Sequence, residues 1–176
     1  GYLGGWVDLL VGRAIDLVMS FPSILLALTI VAILGPSLTH ITVAVGVVGA
    51  PLFARQLRAA AISVRNLDYV TASRALGYST PRILVSVVLP NCLAPILVLA
   101  TLSIGTAMLE VAGLSFLGLS GDPSIPEWGR LLFESRSEFT SRPLLVLAPG
   151  ISISLTVLGF NLLGDALRDL LDVRSR

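Results

Sequence analysis

Three stretches of this sequence contain no Asp, Glu, Arg or Lys, and their length limits the fold more than any other feature. They cover residues 17–54, 83–109 and 143–164. Each is at least as long as the roughly 20 apolar residues that cross the hydrocarbon core of a bilayer. The whole chain is 13% charged, whereas soluble domains have about 25% charged residues. We therefore expect lipid to be the solvent of this chain.

The first uncharged stretch is too long for one membrane span, and a Gly-Pro-Ser turn at residues 35–37 divides it. Helices are expected, because a bilayer offers no partner to open strand edges. The predicted fold class is an all-α membrane protein, a polytopic helical bundle, with the tail 164–176 as a helix that lies on the surface. The four predicted spans are 17–34, 38–54, 83–109 and 143–164.

The distribution of arginine predicts the orientation, because cytoplasmic loops carry an excess of basic residues. Alternate segments must share a side. Segments 1–16, 55–82 and 165–176 hold nine of the 12 basic residues, whereas 35–40 and 118–142 hold three. We expect the first group to be cytoplasmic, with both ends of this sequence, and 118–142 to be an external loop.

The composition excludes some functions. All basic residues are arginine, so the chain cannot supply the lysine of an ATP-binding P-loop. Cys92 and His40 are the only Cys and His, too few for a metal site built from these residues. We expect no cofactor or metal on this chain and no enzymatic activity. The bilayer is the expected partner, and nucleic acid is not.

The polar segment DYVTASRALGYSTPRILVSVVLP, residues 68–90, separates two of the apolar stretches. Its first half has the i, i+3, i+4, i+7 spacing of one helix face, formed by Tyr69, Ala72, Ser73 and Leu76. Gly77 follows at the position of a helix C′ residue. These residues predict a short helix that ends in a tight turn.

A second helix is predicted directly after this turn. Thr80 is suited to cap it and Pro81 to occupy its first position, and Pro90 is expected to end it. The two short helices form a helix–turn–helix, which we call the elbow. From the residues alone, the elbow is either an amphipathic connector on lipid headgroups or a docking surface for a partner.

The spacing within the elbow resembles the motif E-A-A-x3-G-x9-I-x-L-P of permease subunits from bacterial binding-protein-dependent ABC importers. Here the fixed positions are filled by Thr71-Ala72-Ser73, Gly77, Val87 and Leu89-Pro90. Thr71 stands where the family prefers Glu, so this chain lacks that carboxylate. Four further stretches are similar to the second permease subunit of dipeptide/oligopeptide and nickel importers: GYLGGWVD, EVAGLSFLGL, PEWGRLL and FNLLGDALRDLLD.

The resemblance implies a type I ABC importer permease, with four of six spans in this sequence. It implies a bacterial inner-membrane protein that forms half of a path for di- or oligopeptides, with a nickel permease as the alternative. The implied partners are ATP-binding subunits that carry ATP and Mg, a second permease in a heterodimer, and an extracytoplasmic solute-binding protein. The implied ATPase-coupling residues are Thr71, Ala72, Ser73, Arg74, Gly77, Tyr78, Ser79, Leu89 and Pro90.

A few polar residues lie in or near the predicted spans. A carboxylate such as Glu110 is costly there, which indicates contact with substrate, a structural bond to a neighbouring helix, or exposure to water on the outer side. Asn91 and Asn161 are predicted to form hydrogen bonds between helices. Trp128, beside Glu127, is either part of a dock for the binding protein or an interfacial tryptophan.

Two other classes of protein compete with the importer. A secondary transporter or channel would need paired buried acids or broken helices with facing polar groups, and the predicted spans offer one acid. A function as a membrane anchor or assembly protein would not explain the spacing of the residues within the elbow.

Overall fold

The structure, a computed structural model, describes residue 2 and residues 4–172, and every regular element in this part of the chain is helical. A π-helical turn (Leu84–Val88) joins α5 to α6, and a 3-10 turn (Arg136–Glu138) follows α7. The predicted all-α fold is confirmed. The α-helices are α1 (Gly5–Met19), α2 (Ser23–Leu34), α3 (Leu38–Arg65), α4 (Asp68–Ala75), α5 (Thr80–Ile83), α6 (Leu89–Phe116), α7 (Trp128–Ser135) and α8 (Leu144–Asp172).

Within the described residues, three helical stretches are long and apolar enough to cross a membrane: Leu38–Arg65, Thr80–Phe116 and Leu144–Leu171. The pair α1 and α2 adds a fourth span only if it is counted as one broken span. Large apolar side chains are exposed along these elements; Ile33 is 80% and Leu144 76% exposed. Such exposure is suited to lipid, whose tails are as apolar as the side chains. The chain is a multi-pass membrane protein.

The predicted span 17–34 is wrong as a single helix. Proline has no backbone N–H to donate and disfavours helical geometry in the residue before it. Accordingly α1 ends at Met19, Pro22 precedes α2 in extended geometry, and α2 begins at Ser23. The apolar helix α2 is shorter than a span.

The other predicted spans are too short because the charges that bounded them lie on continuing helices. The helix α3 begins at Leu38 as predicted but runs past Arg55 to Arg65. The helix α6 continues beyond Glu110 to Phe116. The described part of the tail is not a separate helix, since α8 includes it as far as Asp172, and residues 173–176 lie outside the described residues.

The prediction that Pro90 ends a helix is also wrong. Helical structure is continuous over Thr80–Phe116, and Pro90 is the second residue of α6. A proline in a helix lacks one donor and crowds the carbonyl four residues earlier. Here the wider π-helical turn Leu84–Val88 precedes it, and π-turns are a known way to absorb an irregularity in an α-helix.

The contacts divide the chain into two compact units. Unit 1 contains the described residues of 1–20, 50–100 and 165–176. Its core brings together α3, the elbow, α6 and the segment before α1, and is formed by Tyr2, Val64, Val70, Ile83, Val88 and Cys92. Two ion pairs join α1 to α3 in this unit: Arg58 holds Asp8 with hydrogen bonds of 2.8 and 2.9 Å, and Arg55 lies 3.9 Å from Asp16.

Unit 2 contains residues 21–49 and 101–164. Its core packs α2, α3 and α6 together through Ala27, Val31, Ile41, Ala44, Val45 and Leu114. Gly121, with φ of +76°, touches the backbone of Pro36, so a side chain at Gly121 would collide with that turn. The segments predicted to share a side of the membrane therefore fall in the same unit: 1–16, 55–82 and the described tail in unit 1, and 35–40 and 118–142 in unit 2.

Candidate functional site

The inner side of the elbow is fixed in the core of unit 1. Helix α4 lies between the candidate spans Leu38–Arg65 and Thr80–Phe116. Val70 of α4 is 0% exposed and Ile83 of α5 is 1% exposed. Both pack in the same cluster as Cys92 of α6. The elbow is therefore held to the start of a long apolar helix by buried side chains.

The turn of the elbow is a complete Schellman motif. Gly77 has φ of +79°, the left-handed conformation predicted for a C′ residue. Its N–H donates to the carbonyl of Arg74 at 3.0 Å, and the N–H of Tyr78 donates to the carbonyl of Ser73 at 3.2 Å. These two bonds satisfy carbonyls that the end of α4 leaves free.

The start of the second helix is shifted by one residue from its predicted position. Ser79 rather than Thr80 is the N-cap, with extended φ and ψ of −65° and 150°. Thr80 is the first helical residue and Pro81 the second. The backbone N–H of Ile83 donates to the carbonyl of Ser79 at 3.0 Å. The missing donor of Pro81 costs nothing there, because N–H groups in a first turn have no helical partner.

The outer face of the elbow is exposed and carries both apolar and polar side chains. Leu76 is 75% exposed and Tyr78 is 38% exposed. Thr71, Ala72 and Ser79 are exposed as well. Leu89, 44% exposed, and Pro90 lie on α6 and also face away from the core. Most of the residues implied by the motif are therefore accessible to a partner.

Arg74 is exposed as well, but its side chain is bonded within this chain. It is four positions after buried Val70, so the two share a helix face. Its Nε and Nη2 atoms donate to the hydroxyl of Tyr2 at 3.3 and 3.0 Å. Its guanidinium also lies 5.4 Å from the centre of the Tyr2 ring. Arg82, in contrast, stacks at 4.3 Å on the ring of Tyr78.

Glu110 is bonded to a neighbouring helix. Its Oε1 atom accepts a 2.9 Å hydrogen bond from the hydroxyl of Ser23, the first residue of α2. A carboxylate at a helix N-terminus also interacts favourably with the helix dipole. Of the alternatives for Glu110, the structure supports the structural bond to a neighbouring helix.

The segment 118–142 carries helix α7, which is fixed tightly on α6. Glu127 caps α7 by accepting bonds from the N–H groups of Gly129 and Arg130 at 3.1 and 3.2 Å. Gly129 touches the backbone of Ala112 so closely that a side chain would collide with it. Trp128, 39% exposed, lines an open apolar pocket of about 340 Å³ together with Glu127 and side chains of α6.

A polar turn precedes α7 in this segment. Asp122 accepts bonds of 2.8 Å from both the N–H and the hydroxyl of Ser124. These donors favour the charged form and lower the pKa of Asp122. Arg130 donates to the carbonyl of Gly121 at 3.2 Å and to Glu134 at 2.7 Å. The segment is therefore an ordered cap on the ends of the helices in unit 2.

Sequence reasoning missed some of these contacts and misassigned others. The roles of Tyr2 and Ser23 had no signal in the sequence, since each depends on a partner that is distant along the chain. Asn91 donates to the carbonyl of Val87 within its own helical segment at 2.6 Å, so its predicted bond between helices is wrong. The Asn161 amide does lie beside another helix, at Gly105 of α6.

Comparison with known proteins gives consistent matches along the whole chain. A family model described as binding-protein-dependent transport system inner membrane component matches residues 1–176. The dipeptide transport system permease protein DppC of Alkalihalophilus pseudofirmus is 50% identical over 176 residues, which are 100% of this chain and 58% of that protein. The corresponding protein of Haemophilus influenzae is 45% identical over 100% of this chain and 60% of its own length.

A glutathione permease is similar as well. The glutathione transport system permease protein GsiD of Pectobacterium atrosepticum is 41% identical over 176 residues, 100% of this chain and 58% of that protein. The chain thus spans less than two thirds of the length of each of these three relatives.

Proposed function

This chain belongs to the family of binding-protein-dependent transport system inner membrane components, and on that premise we propose that it is part of a permease subunit of an ATP-driven peptide importer. In this proposal the elbow, residues 68–90, docks on an ATP-binding subunit. The membership argues against a secondary transporter, a channel or a membrane anchor. ATP and Mg belong to the partner in this proposal, and no step of ATP hydrolysis is assigned to this chain.

The exposed outer face of α4 is the observation that carries the proposal. Leu76 is 75% exposed, yet α4 lies outside the candidate spans, where lipid does not explain an exposed leucine. Ala72 and Thr71 extend this face with small side chains that allow close approach. A short helix with one buried face and an exposed leucine at its end is suited to a groove of a partner.

The mechanism follows from how the elbow is attached. Its inner side is packed by Val70 and Ile83 against the same cluster as α6. Helical structure is continuous from Thr80 to Phe116, so a displacement of the elbow by a closing ATPase pair is transmitted to a long apolar helix. Thr71 in place of the family's Glu means that docking here relies on packing rather than on a carboxylate.

Peptides are the substrate class that we propose. The relatives described above are dipeptide and glutathione permeases by name, and glutathione is itself a small peptide. Uptake of a labelled dipeptide, compared with uptake of nickel, in a strain that lacks the native gene separates the two alternatives. We also propose a second permease subunit and a solute-binding protein as partners, with the elbow on the cytoplasmic side and 118–142 outside.

A bulky residue on the outer face tests the docking directly. Ala72→Trp adds volume at an exposed helical position, so it leaves the core of unit 1 unchanged. Ser137→Trp, at an exposed position in the other unit, is the matched control. We expect the ATP-binding subunits to be lost during purification of the assembled importer with Ala72→Trp only. If they remain bound and uptake is unchanged, the docking proposal is wrong and the elbow rests on headgroups.

A further inference from the structure

We propose that Arg74 is a positioning residue that ties the segment before α1 to the elbow through Tyr2, so that α1 moves with the elbow. The inference rests on the proposed docking for its functional consequence, but the tie itself is a property of unit 1. It assigns to Arg74 a role inside this chain, whereas the resemblance places it among residues that contact the ATPase.

The first support is the direction of the Arg74 side chain. Arg74 follows Val70, which is 0% exposed, by four positions, so the two lie on the same side of α4, although Arg74 itself is exposed. Its guanidinium is engaged by two hydrogen bonds to the Tyr2 hydroxyl and by the Tyr2 ring. These contacts, and not burial, give the Arg74 side chain a fixed partner within this chain.

The second support is the environment of Tyr2. Tyr2 is only 9% exposed and packs in one cluster with Val64 of α3, Val70 of α4 and Ile83 of α5. A buried tyrosine hydroxyl requires a hydrogen-bond partner, and Arg74 supplies it. The segment before α1 is therefore anchored under the elbow by an apolar ring with a charge-assisted bond at its tip.

The third support is a second attachment of the same segment. Arg58 of α3 holds Asp8 of α1 with two bonds, and the Arg58 guanidinium also lies beside Gly12, about one helical turn further along α1. The first part of the chain is thus attached to α3 through Asp8 and Asp16 and to the elbow through Tyr2. Of these three attachments, only the one at Tyr2 reaches the elbow, so it is the one that makes α1 follow the elbow.

The test uses the full-length permease in its assembled importer. Tyr2→Phe keeps the buried ring and removes only the acceptor, and Arg74→Gln removes the charged donor. Arg74→Lys keeps a single charged donor and is expected to be intermediate. Arg168→Gln makes the same chemical change at an exposed position of α8 and is the control.

Two quantities are measured: hydrogen–deuterium exchange of residues 5–19, and the amount of peptide taken up per ATP hydrolysed. A charge-assisted bond corresponds to roughly a tenfold change in an equilibrium, so we expect about tenfold faster exchange and a lower uptake per ATP in both single variants. The double variant should be no worse than either single variant, because the two side chains share one interaction. The ATP-binding subunits should stay bound throughout.

The outcomes separate this inference from the proposed docking. The inference is overturned if Arg74→Gln releases the ATP-binding subunits while Tyr2→Phe does not, because Arg74 would then be a direct contact. It is also overturned if the two single effects add in the double variant, or if exchange of residues 5–19 is unchanged. Retention of the ATP-binding subunits by Ala72→Trp would instead overturn the docking proposal. It would not affect the conclusion drawn from the hydrogen–deuterium exchange of residues 5–19.

Discussion

Gly77 allows the elbow turn to be tested with a change that affects the backbone alone. Its φ is +79°, and no heavy atom lies within 4 Å of a Cβ placed on it. Gly77→Ala therefore introduces no collision. A left-handed conformation costs an ordinary L-residue about 1–2 kcal/mol, so the ordered turn should lose stability by that amount. Asn tolerates this conformation much better, which makes Gly77→Asn the matched variant.

The assay is hydrogen–deuterium exchange of the segment 69–78 in the purified permease. The Tyr78 N–H, which donates to Ser73, reports on the turn directly. A cost of about 1.4 kcal/mol corresponds to tenfold faster exchange in Gly77→Ala, whereas Gly77→Asn should stay close to the original protein. Equal protection in all three proteins, or equal loss in both variants, would refute the reasoning from backbone conformation.

Three further predictions concern unit 2. Gly129→Ala places a Cβ against the backbone of Ala112 and should lower the free energy of unfolding by about 1–3 kcal/mol. Gly164→Ala places a Cβ 2.7 Å from the movable Leu102 side chain and should lower it less, so equal losses in the two variants would contradict this prediction. Glu110→Gln and Ser23→Ala should change thermal stability alike and leave the KM for peptide unchanged, since Glu110 bonds Ser23; a raised KM in Glu110→Gln alone would point to substrate contact. The Asp122 pKa is lowered from 3.8, so its stabilisation of the turn is present above about pH 4 and is lost as pH falls through the lowered value; protection of the Ser124 amide that is lost already near pH 6 would contradict this.

The helical fold class and the turn of the elbow were predicted correctly from the sequence, because both depend on local features. Gly77 at C′ and the start of α3 at Leu38 follow from residue types in a short window. The ends of the long helices were missed, because charge was read as a boundary. Arg58 lies within α3, where it forms an ion pair with Asp8 of α1. A charged residue that has such a partner does not mark the end of a helix.

The remaining differences have separate origins. Pro90 is accommodated by the π-helical turn before it, which the residue type alone does not indicate. The spacing of the motif placed Arg74 with the coupling residues, and that stays a prediction. The bond of Arg74 to Tyr2 had no signal in the sequence, because it joins residues that are 72 positions apart.

Photocrosslinking from Leu76 in the assembled importer, within a native membrane, tests the central claim most directly. A photoreactive amino acid at this exposed position should form an adduct with an ATP-binding subunit, and the same group at Ser137 should not. Adducts of position 76 with lipid, or none with an ATP-binding subunit, would contradict the account.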